Sequence, residues 1–315
     1  MSKSVLLFLI FLIASCRPSS DKGSPFSFEE SPQGVALFEN GKAVFFYQKE
    51  PKILGGEYIC NNYIHPLHAP NGDILTEESP ADHPYHRGIF WSWHQHYIND
   101  QSLGDGWIMK DIANEVVEMQ AGTGKTTASL DLKVLWKSPN HEQGQAYIEE
   151  NTSIIVHQVE SGMRKIDFEI SLQALVPGVS LGGSDDEKGY GGLCTRIKTP
   201  DDLIFTSTDG RVKPDNLQIL AGPWMDFSGT FSAGGEQNGL AILCHPGTPN
   251  YPAPWILRQK ASMQNIVFPG RDRIAIAMDH PTILKYRLVL HEGNADAVDL
   301  SMLQSEYGKT LSGQD

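Results

Sequence analysis

Thr127-Ala-Ser-Leu-Asp-Leu-Lys-Val-Leu-Trp136 alternates apolar and polar side chains almost without a break. Successive side chains of an extended chain point to opposite faces, so Leu130, Leu132, Val134 and Trp136 share one side and Asp131, Lys133, Leu135 and Lys137 the other. One face is written for a core and one for water, the pattern of antiparallel sheet. The rhythm continues on both sides, with strand-like runs at 114–120, 146–158 and 164–176. Gly122-Thr-Gly124, Ser138-Pro-Asn-His-Glu-Gln-Gly144 and Glu160-Ser-Gly162 stand between them as turns, so successive hairpins are expected. Upstream, 35–47 is two β-rich runs joined by Asn40-Gly41, a strong hairpin signal. Gly88 to Tyr97 reads as a further strand, and shorter candidates follow at 203–206, 217–220, 240–245, 274–278 and 283–291. One helix is expected, at 294–308, capped by Asn294 and with Ala297, Leu300, Met302 and Leu303 on its apolar side. Strand after strand with one terminal helix predicts a mostly β protein, a large antiparallel β-sandwich.

Residues 1–15 are set apart from this pattern. Lys3 precedes an apolar run, and Ile13-Ala-Ser-Cys16 places small residues before a cysteine, the form of a bacterial lipoprotein signal cut ahead of a lipidated Cys16. The run is shorter than the roughly 18 apolar residues that a spanning helix needs. Residues 16–25 read as a flexible tether and 26–315 as a single β-sandwich domain, so the body is expected in water, held to a cell-envelope membrane by lipid. Of 315 residues, 25 are basic and 38 acidic, a formal charge of −13. Such a surface repels phosphate backbones, which argues against nucleic acid as a partner. Beyond Cys16 there are Cys60, Cys194 and Cys244, which allow either one disulfide and a free thiol or three buried thiols. Gly122-Thr-Gly-Lys-Thr-Thr127 is reminiscent of a phosphate-binding loop, but Met119 stands where that loop needs glycine and no helix follows it.

The chemistry is concentrated in Asp82-His-Pro-Tyr-His-Arg-Gly-Ile-Phe-Trp-Ser-Trp-His-Gln-His-Tyr97. With His65 and His68 upstream, this region holds six of the eleven histidines. Imidazoles exchange protons near neutral pH, so His83, His86 and His245 are the candidates for proton transfer, with Arg87 and Arg196 positioning a substrate. Tyr190 precedes a Gly-Gly pair in a glycine-rich acidic loop that contains Asp185, Asp186 and Glu187. Trp91, Trp93, Trp107 and Trp255 are candidate stacking surfaces. On a continuous strand His94 and His96 would face the same way, a spacing used by metal sites, with His86 or Asp82 completing the set around a divalent ion.

Asp82-His-Pro-Tyr-His-Arg-Gly88, Lys188-Gly-Tyr-Gly-Gly-Leu193 with Arg196, and His245-Pro-Gly-Thr-Pro-Asn-Tyr-Pro-Ala-Pro-Trp255 together resemble an uncharacterised bacterial family that carries the label PmoA-like, or methane oxygenase. That family is similar to proteins with the galactose mutarotase-like supersandwich, found in aldose epimerases and in domains of polysaccharide lyases and glycosidases. The resemblance implies a carbohydrate ligand; no epimerase residue maps onto a numbered position here. Three functions follow as expectations: a carbohydrate-active enzyme using histidine acid–base catalysis (epimerase, hydrolase or β-elimination lyase), a metal-dependent enzyme, and a non-catalytic glycan-binding lipoprotein.

Overall fold

The structure is a computed structural model that describes residues 23–310. The proposed signal, Cys16 and the first part of the tether lie outside the described residues. Two large antiparallel sheets face each other. The first has eight strands, in the order Phe26–Ser31, Gly34–Glu39, Lys42–Gln48, Tyr63–Leu67, Ile89–Trp93, Gly191–Thr195, Gln264–Val267 and Trp255–Ile256. The second has nine: Ala113–Thr123, Thr127–Lys137, Ala146–His157, Met163–Ala174, Thr282–Glu292, Asn238–Cys244, Trp224–Gly229, Ile204–Ser207 and Gly210–Val212. A four-stranded sheet (Ile274–Ala275, Val179–Gly182, Gln95–Ile98, Gln101–Gly104) and the hairpin Lys52–Leu54/Tyr58–Cys60 complete it.

The alternation in Thr127–Lys137 has the expected result: Ala128, Leu130, Leu132, Val134 and Trp136 are buried while Asp131 is exposed. Their inner face meets Ile64, Ile89, Trp91, Trp93 and Leu193 of the first sheet in one apolar interior. Asn40 and Gly41 both take positive φ between Glu39 and Lys42, as a two-residue hairpin turn requires. The Gly122–Gly124 segment joins two antiparallel strands, with no helix at its end. The interior also holds the carboxylate of Glu150, which accepts hydrogen bonds from Asn62 Nδ2, Thr152 Oγ1 and Trp136 Nε1. Burial raises its pKa.

Several local expectations are corrected. The run from Gly88 to Tyr97 is not one strand: it breaks at His94, and its halves join different sheets. Residues 217–220 form only an isolated bridge at Ile219, with Leu220 83% exposed. Asn294 caps a short 3-10 turn, Ala295–Ala297; the α-helix, Leu300–Tyr307, starts one turn later under Asp299 and buries Leu300, Leu303 and Tyr307 but not Met302. Strands Trp224–Gly229 and Gln264–Val267 were not anticipated, because strands buried on both faces show no alternation. Cys60, Cys194 and Cys244 are three buried free thiols. Among the described residues, no helix is long and apolar enough to cross a membrane.

Candidate active site

The outer face of the first sheet, away from the interior, carries Tyr63, Phe90 and Cys194. Arg196 continues the parity of Cys194 beyond the Gly191–Thr195 strand. Residues 75–79 then thread between two other segments. Glu77 N donates to Arg196 O, Gly88 N to Glu77 O, Ser79 N to His86 O and Arg196 N to Gly88 O, all at 2.7–2.9 Å. Three pieces of chain are thus fastened to one another through their backbones. Gly88 makes the join possible: its φ is +40° and an added Cβ would lie 1.9 Å from Ile64 O. Gly88→Ala is expected to cost about 3 kcal/mol or more, from left-handed strain plus a clash with backbone that has no room to retreat. A denaturation midpoint unchanged from wild type would contradict this account of the join.

Between Ser79 and Gly88 the chain makes two consecutive turns, His83 N to Pro80 O and His86 N to His83 O. Three residues apart across such a turn, the rings of His83 and His86 stack face to face, 4.5 Å between centroids and 3° from parallel. Both are anchored by their Nδ1 atoms to one ion pair. Arg196 grips Asp82 with two parallel bonds, Nη1 to Oδ2 at 2.8 Å and Nη2 to Oδ1 at 2.9 Å, while its Nε donates to Glu77 at 2.9 Å. His83 Nδ1 lies 2.8 Å from Asp82 Oδ2, and His86 Nδ1 lies 3.3 Å from Arg196 Nη1.

Those partners dictate the tautomers. Asp82 accepts from Arg196 and His83, which holds its carboxyl down at about 2 against the cost of its partial burial, so it is ionised and His83 Nδ1–H donates to it. In neutral His83 the lone pair is then on Nε2. A guanidinium has no acceptor, so His86 Nδ1 must accept and the hydrogen sits on Nε2. Burial first, then the charges of His83, Arg196 and Arg87, push His86 down to about 2, which keeps it neutral. With both Nδ1 atoms on one ion pair and the rings parallel, both Nε2 atoms point away from it, side by side. One is an acceptor and the other a donor.

Aromatic rings surround the pair. Tyr85 lies edge-on to both histidines and to Tyr58 of the small hairpin. The hairpin leans on Pro84 at Gly55, where a Cβ would come within 2.4 Å of the proline. Trp107 packs against Phe90 and Tyr190, and Arg258 lies over the Tyr190 ring. Tyr63 donates to Glu78 at 2.6 Å, and Lys52 pairs with the same carboxylate.

The structure therefore brings together His83, His86, Arg196 and Tyr190 of the expected set, with Arg87 beneath them. It adds Glu77, Glu78, Tyr58, Tyr63 and Tyr85, and makes Asp82 the central anion. Sequence offered little for Glu77 and Glu78 beyond their place in a polar loop just before the histidines.

Other expectations are corrected. His245 is not at this site: it follows a strand of the second sheet, accepts Gly247 N–H on Nδ1, donates from Nε2 to Thr310 O at 3.2 Å and meets the Tyr307 ring of the C-terminal helix. Trp91, Trp93 and Trp255 belong to the interior between the sheets and offer no stacking face; Trp255 is held by Gly222 O. His94 and His96 diverge. His94 stacks on Trp107 and bonds to Asp105 at 2.9 Å, while His96 is sealed inside with Tyr147 on Nδ1 and Trp93 O on Nε2, so its nitrogens are taken. Among the described residues no group of three His, Cys, Asp or Glu side chains is arranged to hold a metal. Asp186 caps its own loop and Asp185 pairs with Arg271 on the surface.

A two-sheet antiparallel β-sandwich with an ion-paired imidazole stack set in tyrosines on one outer face is thus the class of protein defined. The chain belongs to a family of unknown function, DUF6807, whose model matches residues 35–304, from the first hairpin into the C-terminal helix. No curated protein matches it.

Proposed function

We propose that this is a lipid-anchored envelope protein acting on carbohydrate, in which His83 Nε2 accepts a proton and neutral His86 donates a hydrogen bond from Nε2–H to the same face of a sugar. The observation that carries it is the convergence of both Nδ1 atoms on the Asp82–Arg196 pair, which fixes opposite roles on two adjacent imidazoles. A proton acceptor beside a neutral N–H that can bond a developing oxyanion is what isomerisation at a sugar carbon or same-face β-elimination needs. Hydrolysis instead places its two groups on opposite sides of the scissile bond. Half-buried Tyr58, Tyr85 and Tyr190 supply ring edges and hydroxyls for a pyranose. Resemblance to the PmoA-like family and, through it, to mutarotase-like sandwiches supports the same substrate class, as fold analogy only.

The test is a panel of free sugars and oligosaccharides, followed by NMR for isomer exchange and by ultraviolet absorbance for an unsaturated product. His83→Gln and His86→Gln are each expected to lower turnover about 10²- to 10⁴-fold with affinity little changed. Undiminished turnover in both variants would refute the acid–base roles. Sugar binding without turnover in the wild type, retained in both variants, would favour a glycan-binding lipoprotein, a reading favoured by the tyrosine rim. For the anchor, Cys16→Ser is expected to abolish incorporation of radiolabelled palmitate and release the chain from membranes; a labelled variant would exclude that lipidation site.

A further inference from the structure

Four arginines of the described chain are buried: Arg87, Arg164, Arg196 and Arg287, at 1%, 4%, 2% and 7% exposure. Three have their carboxylate. Arg164 pairs with Glu39, Arg196 with Asp82 and Glu77, and Arg287 with Asp167. Arg87 pairs with none among the described residues. Its Nη1 donates to the carbonyls of Tyr85 and Trp107, both at 3.1 Å, its guanidinium carbon lies 4.2 Å from the centre of the Phe90 ring, and its Nε is buried with no partner.

The neighbouring acids are committed elsewhere: Glu78 to Tyr63 and Lys52, Glu77 and Asp82 to Arg196. Cys60, Cys194 and Tyr63 feel the charge of Arg87, but burial is the larger influence and keeps all three protonated. A cation surrounded by two carbonyl dipoles, one ring face and neutral thiols is costly to keep. Nη2 likewise has no hydrogen bond within the described chain, in a residue that is 1% exposed. It is the edge of this guanidinium whose donors remain unused. The guanidinium adjoins the histidine pair, since the residue whose carbonyl holds Nη1, Tyr85, also sets its ring against His83 and His86.

We propose that the sugar handled at this site carries an anionic substituent, a carboxylate or an ester sulfate, and that Arg87 Nη2 receives it. The proposal rests on the carbohydrate reading and narrows it to acidic sugars. The ligand would bring the counter-charge that the fold leaves out, as a charge-assisted bond in a place shielded from water.

Calorimetry on the intact chain with matched sugars decides the matter: a uronate oligosaccharide, its methyl ester, the neutral counterpart and a sulfate ester of that counterpart. The free acid or the sulfate is expected to bind about tenfold or more tightly than the ester and the neutral sugar, and whichever does so identifies the anion. Arg87→Gln should remove the preference for the anionic sugar over its ester and neutral counterpart. If that variant does not fold, the acid-to-ester comparison on the wild type still discriminates. Equal affinity for acid, ester and neutral sugar would overturn the proposal while leaving the carbohydrate reading intact; no binding by any of the four would overturn both.

Discussion

Replacing Arg196 with methionine is expected to destabilise the chain by about 3 kcal/mol, the low end for breaking a buried ion pair. The low end applies because the guanidinium is 2% exposed whereas Glu77 and Asp82 keep 34% and 30% of their side-chain surface. Four hydrogen bonds go at once, to Glu77, twice to Asp82 and to His86. Arg196→Lys should fall between, since one ammonium cannot reproduce a planar fork that also reaches a second carboxylate. A readout beyond stability identifies the positioning role. With Arg196 gone, His86 Nδ1 loses its donor and a repelling charge, so its imidazole signals should begin to titrate at higher pH by NMR. Stability lost without any change in His86 titration would make Arg196 a fold element only.

The second large effect is acid sensitivity beginning near neutrality. His86 is held at about 2 and His96 at about 4, both chiefly by burial. A histidine whose folded pKa lies below its unfolded value of about 6.5 contributes stability that is present above that value and lost as pH falls towards the folded one, because only the unfolded chain takes the proton. Each group therefore tilts stability by up to about 1.4 kcal/mol per pH unit below pH ~6.5. His65 and His245, also lowered by burial, act in the same direction. Glu150, whose pKa is raised, opposes them at the acid end. Denaturant midpoints between pH 7.5 and 4.5 should fall steeply, and His86→Gln should flatten the slope by about one proton. Parallel curves for variant and wild type would show that His86 already accepts a proton in the folded chain.

The fold was legible because half-buried strands repeat every two residues. Leu130, Leu132, Val134 and Trp136 announced their own core face, and Asn40-Gly41 its own turn. The site was legible only as composition. Clustered histidines marked the right stretch and His83 and His86 were read apart from His94 and His96, yet neither the stacking of the first pair nor the parting of the second was visible. The first two stack because two tight turns bring residues three apart face to face; the last two part because the chain leaves one sheet for another at His94. The same limit applied to Trp91 and Trp255, whose size suited a sugar platform as well as a core.

What the amino-acid sequence determined by itself is what depends on neighbours along the chain: strand periodicity, turn chemistry, and an apolar stretch followed by a cysteine at the start. Tertiary structure alone decided which charges meet. Asp82 and Arg196 are 114 residues apart, and Glu77 and Arg196 are 119 apart. Their partnership, the tautomers it imposes on two imidazoles and the missing partner of Arg87 arise from through-space electrostatics and desolvation, which carry no periodic signature in a linear chain.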